Sequence, residues 1–237
     1  MTAMAATQDM PSAAATRLAT LAALTSEDLA RVAGAESHRS TVPPHRDLLG
    51  RGTADGAQLV LHGWGYQQQL LPDGRRQIAR FVLPGDVIGP RARTGVMTPA
   101  TTTTLTEMAT CAAPDPDHPE SGLAQAYAVS AALDEAYLRA QITRLGRMSA
   151  YERMADWLLE TRDRLMLAGL ASDDGFTMPL TQELLADTLG LTSVHVNRTV
   201  RDLRQDQLVT INAKRVTFHG LDRMKVLVGY QSARPVS

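Results

Sequence analysis

Residues 180–205, LTQELLADTLGLTSVHVNRTVRDLRQ, limit what this chain can fold into more than any other stretch. They read as two short helices around a tight corner. Thr181 is placed to cap the first, and Glu183 lies in its first turn, where the helix dipole favours a negative charge. Leu184, Leu185 and Leu189 recur at helical spacing, so one face is apolar. Gly190 stops that helix, because glycine takes a left-handed backbone without steric cost. Leu191 is the apolar residue of the turn, and Thr192 or Ser193 caps the second helix. Val196, Val200 and Leu203 form its expected buried stripe. The other face carries His195, Asn197, Arg198, Arg201 and Arg204. This is the pattern of a helix-turn-helix whose second helix suits a DNA major groove.

The residues after Gln205 support that reading over a plain helical hairpin. Leu208–Ile211 and Arg215–Phe218 are β-prone runs around a polar tip, Asn212-Ala213-Lys214, which spells a wing with Lys214 and Arg215 placed to meet phosphate. From Thr192 to Val228, seven basic residues (Arg198, Arg201, Arg204, Lys214, Arg215, Arg223, Lys225) stand against three acids (Asp202, Asp206, Asp222), a local net of +4 in a chain of formal charge −1. Positive charge is therefore concentrated where a nucleic acid would sit.

Upstream, the texture differs. Residues 1–16 are rich in Ala, Thr, Ser and Met and read as a disordered tail, without the basic start and apolar core of a signal peptide. Leu18, Leu21 and Leu24, then Thr25-Ser26 before Glu27-Asp28, mark two short helices. From His38 to about Ala113, glycines and prolines punctuate short β-prone segments. Gln58–His62 is a strand, Gly65–Leu71 and Arg76–Leu83 flank a Pro72-Asp73-Gly74 turn, and Thr101–Thr110 is a further strand. Such closely spaced strands suggest a small antiparallel barrel or jelly roll. Residues 121–148 form one long helix with Tyr127, Ala131, Leu138, Ile142 and Leu145 on a single face, which suggests a seam between two subunits. A separate amphipathic helix comes next with Met154, Trp157, Leu158 and Leu165, and Ala171–Met178 reads as a polar connection.

The expected architecture is thus α+β: a tail (1–16), a double-stranded β-roll sensor (17–120), a dimerisation helix (121–148) and a C-terminal winged helix-turn-helix (149–237). With 44% hydrophobic and 21% charged residues the composition is that of a soluble globular protein. No apolar run approaches the length of a membrane span, and the reading is of a cytoplasmic protein. The single cysteine, Cys111, excludes an internal disulfide framework and an all-cysteine iron–sulfur cluster held by one chain. An enzyme built on a jelly roll would need clustered metal ligands. No H-x-H, G-x-S-x-G or P-loop pattern occurs, and no catalytic or metal-ligating residue is assigned.

A β-roll, a long dimer helix and a C-terminal winged helix, in that order, resemble the layout of the Crp/Fnr family of bacterial transcription regulators. Three motifs carry the resemblance: LLPDGRRQIARFVLPGDVIG, with its G-D-x-x-G turn; RLGRMSAYERMADWLLE, at the joint between dimer helix and DNA-binding unit; and LTQELLADTLGLTSVHVNRTVRDLRQDQLV. The resemblance implies that Ser193, Val194 and Arg198 face base edges, Arg198 by two hydrogen bonds to guanine O6 and N7. Many members carry Glu where this chain has Val194, which can offer only apolar contact. Thr192, His195, Asn197, Arg201, Lys214 and Arg215 complete the expected DNA-binding set. The partners implied are duplex DNA with a near-palindromic operator, a second copy of the chain and RNA polymerase.

In cyclic-AMP-binding relatives the G-D-x-x-G turn leads into a phosphate cassette with a Glu for the ribose and an Arg for the phosphate. Here those positions are Pro90 and Thr98, so cyclic AMP is not the expected effector. Asp86, Arg91 and Arg93 are the residues from which an effector contact could be built, with Asp86 itself suited to the turn. A heme needs only one axial ligand, for which His38, His45, His62 and Cys111 are the candidates.

Overall fold

Structure begins earlier than the sequence suggests. In the computed structural model, which describes residues 11–49, 56–89 and 101–235, Ser12 caps helix α1 (Ala13–Leu21) by accepting from Ala15 N. Ala14 and Ala15 are buried beside Leu18 and Leu21, so residues 13–16 belong to a packed helix rather than to a tail. Alanine supports the helix intrinsically and is small enough to lie flush against a neighbour. Helix α2 (Ser26–Glu36) starts at Thr25, which exchanges capping hydrogen bonds with Asp28.

Eight strands come next: β1 (Ser40–Val42), β2 (Asp47–Leu49), β3 (Gln58–His62), β4 (Gly65–Leu70), β5 (Arg76–Val82), β6 (Val87–Ile88), β7 (Thr101–Thr104) and β8 (Met108–Ala112). They form two antiparallel sheets, ordered β1-β8-β3-β6 and β2-β7-β4-β5. Val60, Ile88 and Met108 of one meet Val82 of the other to close the roll. The strand expected over Thr101–Thr110 is in fact two, one in each sheet. The chain breaks between them because Leu105 N and Thr106 N both donate to Trp64 O, which turns it from one sheet to the other.

Helix α3 (Gly122–Arg147) lies on its own roll along Leu123, Ala126, Ser130, Leu133 and Tyr137, and ends with buried Gln141 and Arg144. Met148 is extended, and α4 (Ala150–Leu167) turns back from it behind a Ser149–Glu152 capping box. The buried Arg144 guanidinium ties the two helices, donating to Asp156 at 2.6 Å and Glu160 at 2.8 Å. Then come β9 (Ala171–Ser172), β10 (Gly175–Thr177), α5 (Gln182–Leu189), α6 (Ser193–Gln205), β11 (Val209–Asn212), β12 (Arg215–Phe218) and α7 (Leu221–Val228). Among the described residues no helix is long and apolar enough to cross a membrane.

The two halves share a core. Trp64, Phe81 and Trp157 stack edge to face, with centroids 5.9 and 5.6 Å apart, an arrangement that adds about 0.5–1.5 kcal/mol per pair beyond area burial. Beside this row, Asp86 is 1% exposed. It receives Arg164 at 2.9 Å, Arg17 at 3.3 Å and Arg80 at 3.4 Å, and accepts from Leu83 N at 2.9 Å. Gly85 makes room for this: at φ +88 it is left-handed, and a Cβ there would lie 2.6 Å from Arg17 Cδ. Burial pushes the Asp86 carboxyl up, but Arg164, Arg17 and Arg80 more than reverse this and hold it below the usual carboxylate range.

A folded-state pKa below the unfolded one means stability that is complete above the unfolded value of about 3.9 and lost as pH falls through the folded value. Asp86→Asn leaves buried cations short of a counter-charge and is expected to cost about 3–5 kcal/mol at neutral pH. Urea melts should show that deficit shrinking on acidification below about pH 4.

Candidate nucleic-acid interface

The helix-turn-helix forms as its residues dictate. Thr181 Oγ1 accepts from Leu184 N at 3.2 Å to start α5, and Gly190 ends it with φ 62° and ψ 40°. Thr192 Oγ1 accepts from His195 N at 3.3 Å to start α6. The inner face of α6 is Val196, Thr199 and Leu203, all buried, whereas Val200 is only half-buried. Three- and four-residue steps from Val196 to Leu203 pass through both 199 and 200; Thr199 is the more deeply buried of the two, and Val200 packs on the edge of the same core.

The outer face of α6 carries the expected set. Thr192, Ser193, Val194, His195, Asn197, Arg198 and Arg201 are exposed, Val194 at 68%. Among the described residues, Arg198, Arg201, Arg204, Lys214 and Arg215 make no ion pair. Buried arginines elsewhere do the opposite: Arg17, Arg144 and Arg164 are all tied to carboxylates. One helix face and one hairpin thus carry five cations without an internal counter-charge, available to an outside anion.

That hairpin is the wing. Strands β11 and β12 pair from Val209↔Phe218 to Asn212↔Arg215, leaving Ala213 and Lys214 as a two-residue turn. Both have positive φ, 44° and 67°, as the twist of a two-residue hairpin demands. Met178 N donates to Lys214 O at 2.6 Å and pins the turn. The stretch Ala171–Met178, expected as a plain connection, folds into β9 and β10, and β10 pairs with β12 to widen the wing sheet to four strands. Asp174-Gly175 between Ala171 and Phe176 was the available hairpin signal.

The other candidate residues divide between filled, exposed and half-buried positions. Asp86 is filled by internal partners, Arg17, Arg80, Arg164 and Leu83 N. Pro90, Arg91, Arg93 and Thr98 lie outside the described residues. On α3, Ala131 is exposed, Leu138 is 41% and Ile142 72% exposed. Tyr127 and Leu145 are half-buried on their own chain. Tyr127 donates to Pro114 O at 3.0 Å, and Leu145 lies against the Gly190 turn. His38, His45 and His62 are exposed, whereas Cys111 is buried, which pushes its thiol up to about 11. Among the described residues, no group of three or more His, Cys, Asp or Glu could hold a metal. The residues that the sequence did not single out are Arg76, Gln77, Gln141 and Arg153, which hold the end of α5.

A roll, a long helix and a winged helix with an uncompensated basic face define a DNA-binding regulator. The Crp-like helix-turn-helix domain family matches residues 152–227. The transcriptional activator protein FnrL of Cereibacter sphaeroides is 31% identical over 199 residues, covering 80% of this chain and 79% of the relative. The nitrogen fixation regulation protein FixK of Bradyrhizobium diazoefficiens is 34% identical over 64% of this chain and 65% of its own. In fold, the chain is similar to FixK2 from Bradyrhizobium japonicum, with a TM-score of 0.67 at 23% identity over 82% of this chain and 98% of that one. The chain belongs to the Crp/Fnr family of transcription regulators.

Replacing Lys214 with glycine separates binding from folding at the wing. A non-glycine residue in the left-handed region is disfavoured by about 1–2 kcal/mol, so Lys214→Gly should not lower the melting temperature. It should nonetheless weaken binding to every duplex and flatten the salt dependence by about one counterion per subunit, read from anisotropy titrations at several salt concentrations.

Proposed function

We propose that two copies of this chain pair along α3 and read a near-palindromic operator, each laying α6 in a major groove with the wing on the flanking phosphates. The observation that carries this reading is the set of exposed, unpaired cations: Arg198 and Arg201 on α6, Lys214 and Arg215 on the wing. Ser193, Val194 and Arg198 meet base edges, Val194 by apolar contact with a thymine methyl, while His195 and Asn197 bond to a base or a phosphate. The pairing is supported by the face of α3 turned away from its own roll, where Ala131, Leu138 and Ile142 stand exposed.

The roll works without cyclic AMP, since Pro90 and Thr98 replace the ribose and phosphate ligands and Asp86 is held by three arginines. It holds no iron–sulfur cluster, Cys111 being its single cysteine. The chain acts as a cytoplasmic regulator rather than an enzyme, in keeping with relatives that are transcriptional activators and regulators, and meets RNA polymerase at its promoters.

Sedimentation should give a dimer, and footprinting should show two protected half-sites about 34 Å apart. Ile142→Asp sets two carboxylates facing each other across the seam and should yield a folded monomer with collapsed affinity. Arg198→Ala should cost about 1–3 kcal/mol on the cognate duplex and flatten preference at one position per half-site. A variant that weakened cognate and scrambled duplexes equally would mean that Arg198 is only a phosphate anchor. Cyclic AMP at micromolar concentration should leave the melting temperature unchanged, because a ligand that binds only the folded form raises it by mass action.

A further inference from the structure

The last three carbonyls of α5 lie where the chain turns through Gly190 into the recognition helix. A helix end leaves its final carbonyls without intrahelical donors. Here each is met by a side chain from outside the helix-turn-helix. Gln77 of β5 donates through Nε2 to Asp187 O at 2.9 Å and to Thr188 O at 3.3 Å. Gln141 of α3 donates to Thr188 O at 2.7 Å, and Arg153 of α4 donates to Leu189 O at 3.0 Å.

Arg76, beside Gln77, grips the Asp187 carboxylate through Nε at 2.8 Å and Nη2 at 2.5 Å. Its guanidinium sits 5.7 Å from the centroid of the Tyr66 ring. The Arg76 and Asp187 side chains are 23% and 24% exposed, so water screens this pair less than one on an open surface. A cation and amide donors at a helix C-terminus also face the negative end of its dipole.

We propose that Arg76 and Gln77 are positioning residues for DNA reading: the β4–β5 hairpin of the roll holds the C-terminal corner of α5 and so fixes where α6 stands relative to α3. The inference rests on the reading of the chain as a dimeric operator-binding regulator. Between α3 and α4 run two extended residues, Met148 (φ −90°, ψ 147°) and Ser149 (φ −65°, ψ 165°), and Arg144 ties the two helices beside them. The clamp holds the helix-turn-helix at its far corner. With one clamp in each subunit, the separation of the two recognition helices is set in part by the sensor roll, and so is the preferred half-site spacing. A displacement of the hairpin is carried to α5 through an ion pair and two directional hydrogen bonds.

The test uses the full-length dimer and a duplex selected by the wild type from a random-sequence library. Derivatives of that duplex have spacers one and two base pairs longer or shorter, and one keeps a single half-site. The wild type should prefer one spacing. Arg76→Asp, which sets like charges against each other at Asp187, should bind the optimal duplex about tenfold more weakly. It should lose its preference among spacers, yet bind the single half-site as the wild type does. Adding Asp187→Arg should restore both affinity and spacing preference. Gln77→Ala should give the same pattern in weaker form and carries the test if Arg76→Asp fails to fold.

Unchanged spacing preference in the folded variants would overturn the proposal. So would an equal loss on the single half-site, since the damage would then lie within the helix-turn-helix. A wild type that selects no two-half-site duplex would instead overturn the functional reading itself.

Discussion

The Asp86 carboxylate is almost fully withdrawn from water, and an isolated buried carboxylate would cost the fold several kcal/mol or give up its charge. Three guanidinium groups prevent this, and each comes from a different part of the chain: Arg17 from α1, Arg80 from β5 and Arg164 from α4. Meeting that charge therefore requires the N-terminal helix, the roll and the C-terminal half to be assembled together. Arg164 also donates to Phe81 O at 2.9 Å and lies 5.0 Å over the Tyr137 ring, which brings α3 into the same junction. Arg80 reaches Asp134 of α3 at 2.9 Å as well.

Apolar packing runs along the same lines. The Trp64–Phe81–Trp157 row crosses from roll to α4 beside the charged junction, and Arg144 holds α3 against α4 at its other end through Asp156 and Glu160. Everything behind the helix-turn-helix is consequently fixed by buried, directional contacts. The outer face of α6 and the tip of the wing are left alone, and their cations are left unpaired. The chain commits carboxylates to its interior arginines and leaves those on the outer face of α6 free. That division lets a chain of net charge −1 present a strongly positive surface.

Much of this was legible in the sequence because it rests on local rules. The caps Thr181 and Thr192, the left-handed Gly190 and the 3.6-residue periodicity of α4 and α5 depend only on near neighbours, and each appears where the pattern puts it. Elements whose fate depends on distant partners were read less well. The Thr101–Thr110 run has uniform β propensity, and only the Trp64 carbonyl divides it between two sheets. The threonine at 199 looks polar in isolation, yet it is buried on the inner face of α6 between Val196 and Leu203. Alanines at 14 and 15 carry no signal of their own until α1 finds α3.

The sequence by itself determined the order of elements, the helix-turn-helix and the residues on the outer face of α6, because helix periodicity, turn chemistry and charge clustering act over a few positions. Only the tertiary structure decided what the Gly85-Asp86 turn does. Its sequence is that of a ligand cassette's lead-in, but its partner Arg164 lies 78 residues further on, beyond the reach of any local pattern. The same holds for Arg76 and Gln77, which are 111 and 110 residues from the Asp187 groups they hold. Side-chain type and spacing fix what a residue is able to bind. Which of several partners it binds is set by the long-range closure of the chain, where burial raises the strength of each polar contact and leaves an unmet one costly.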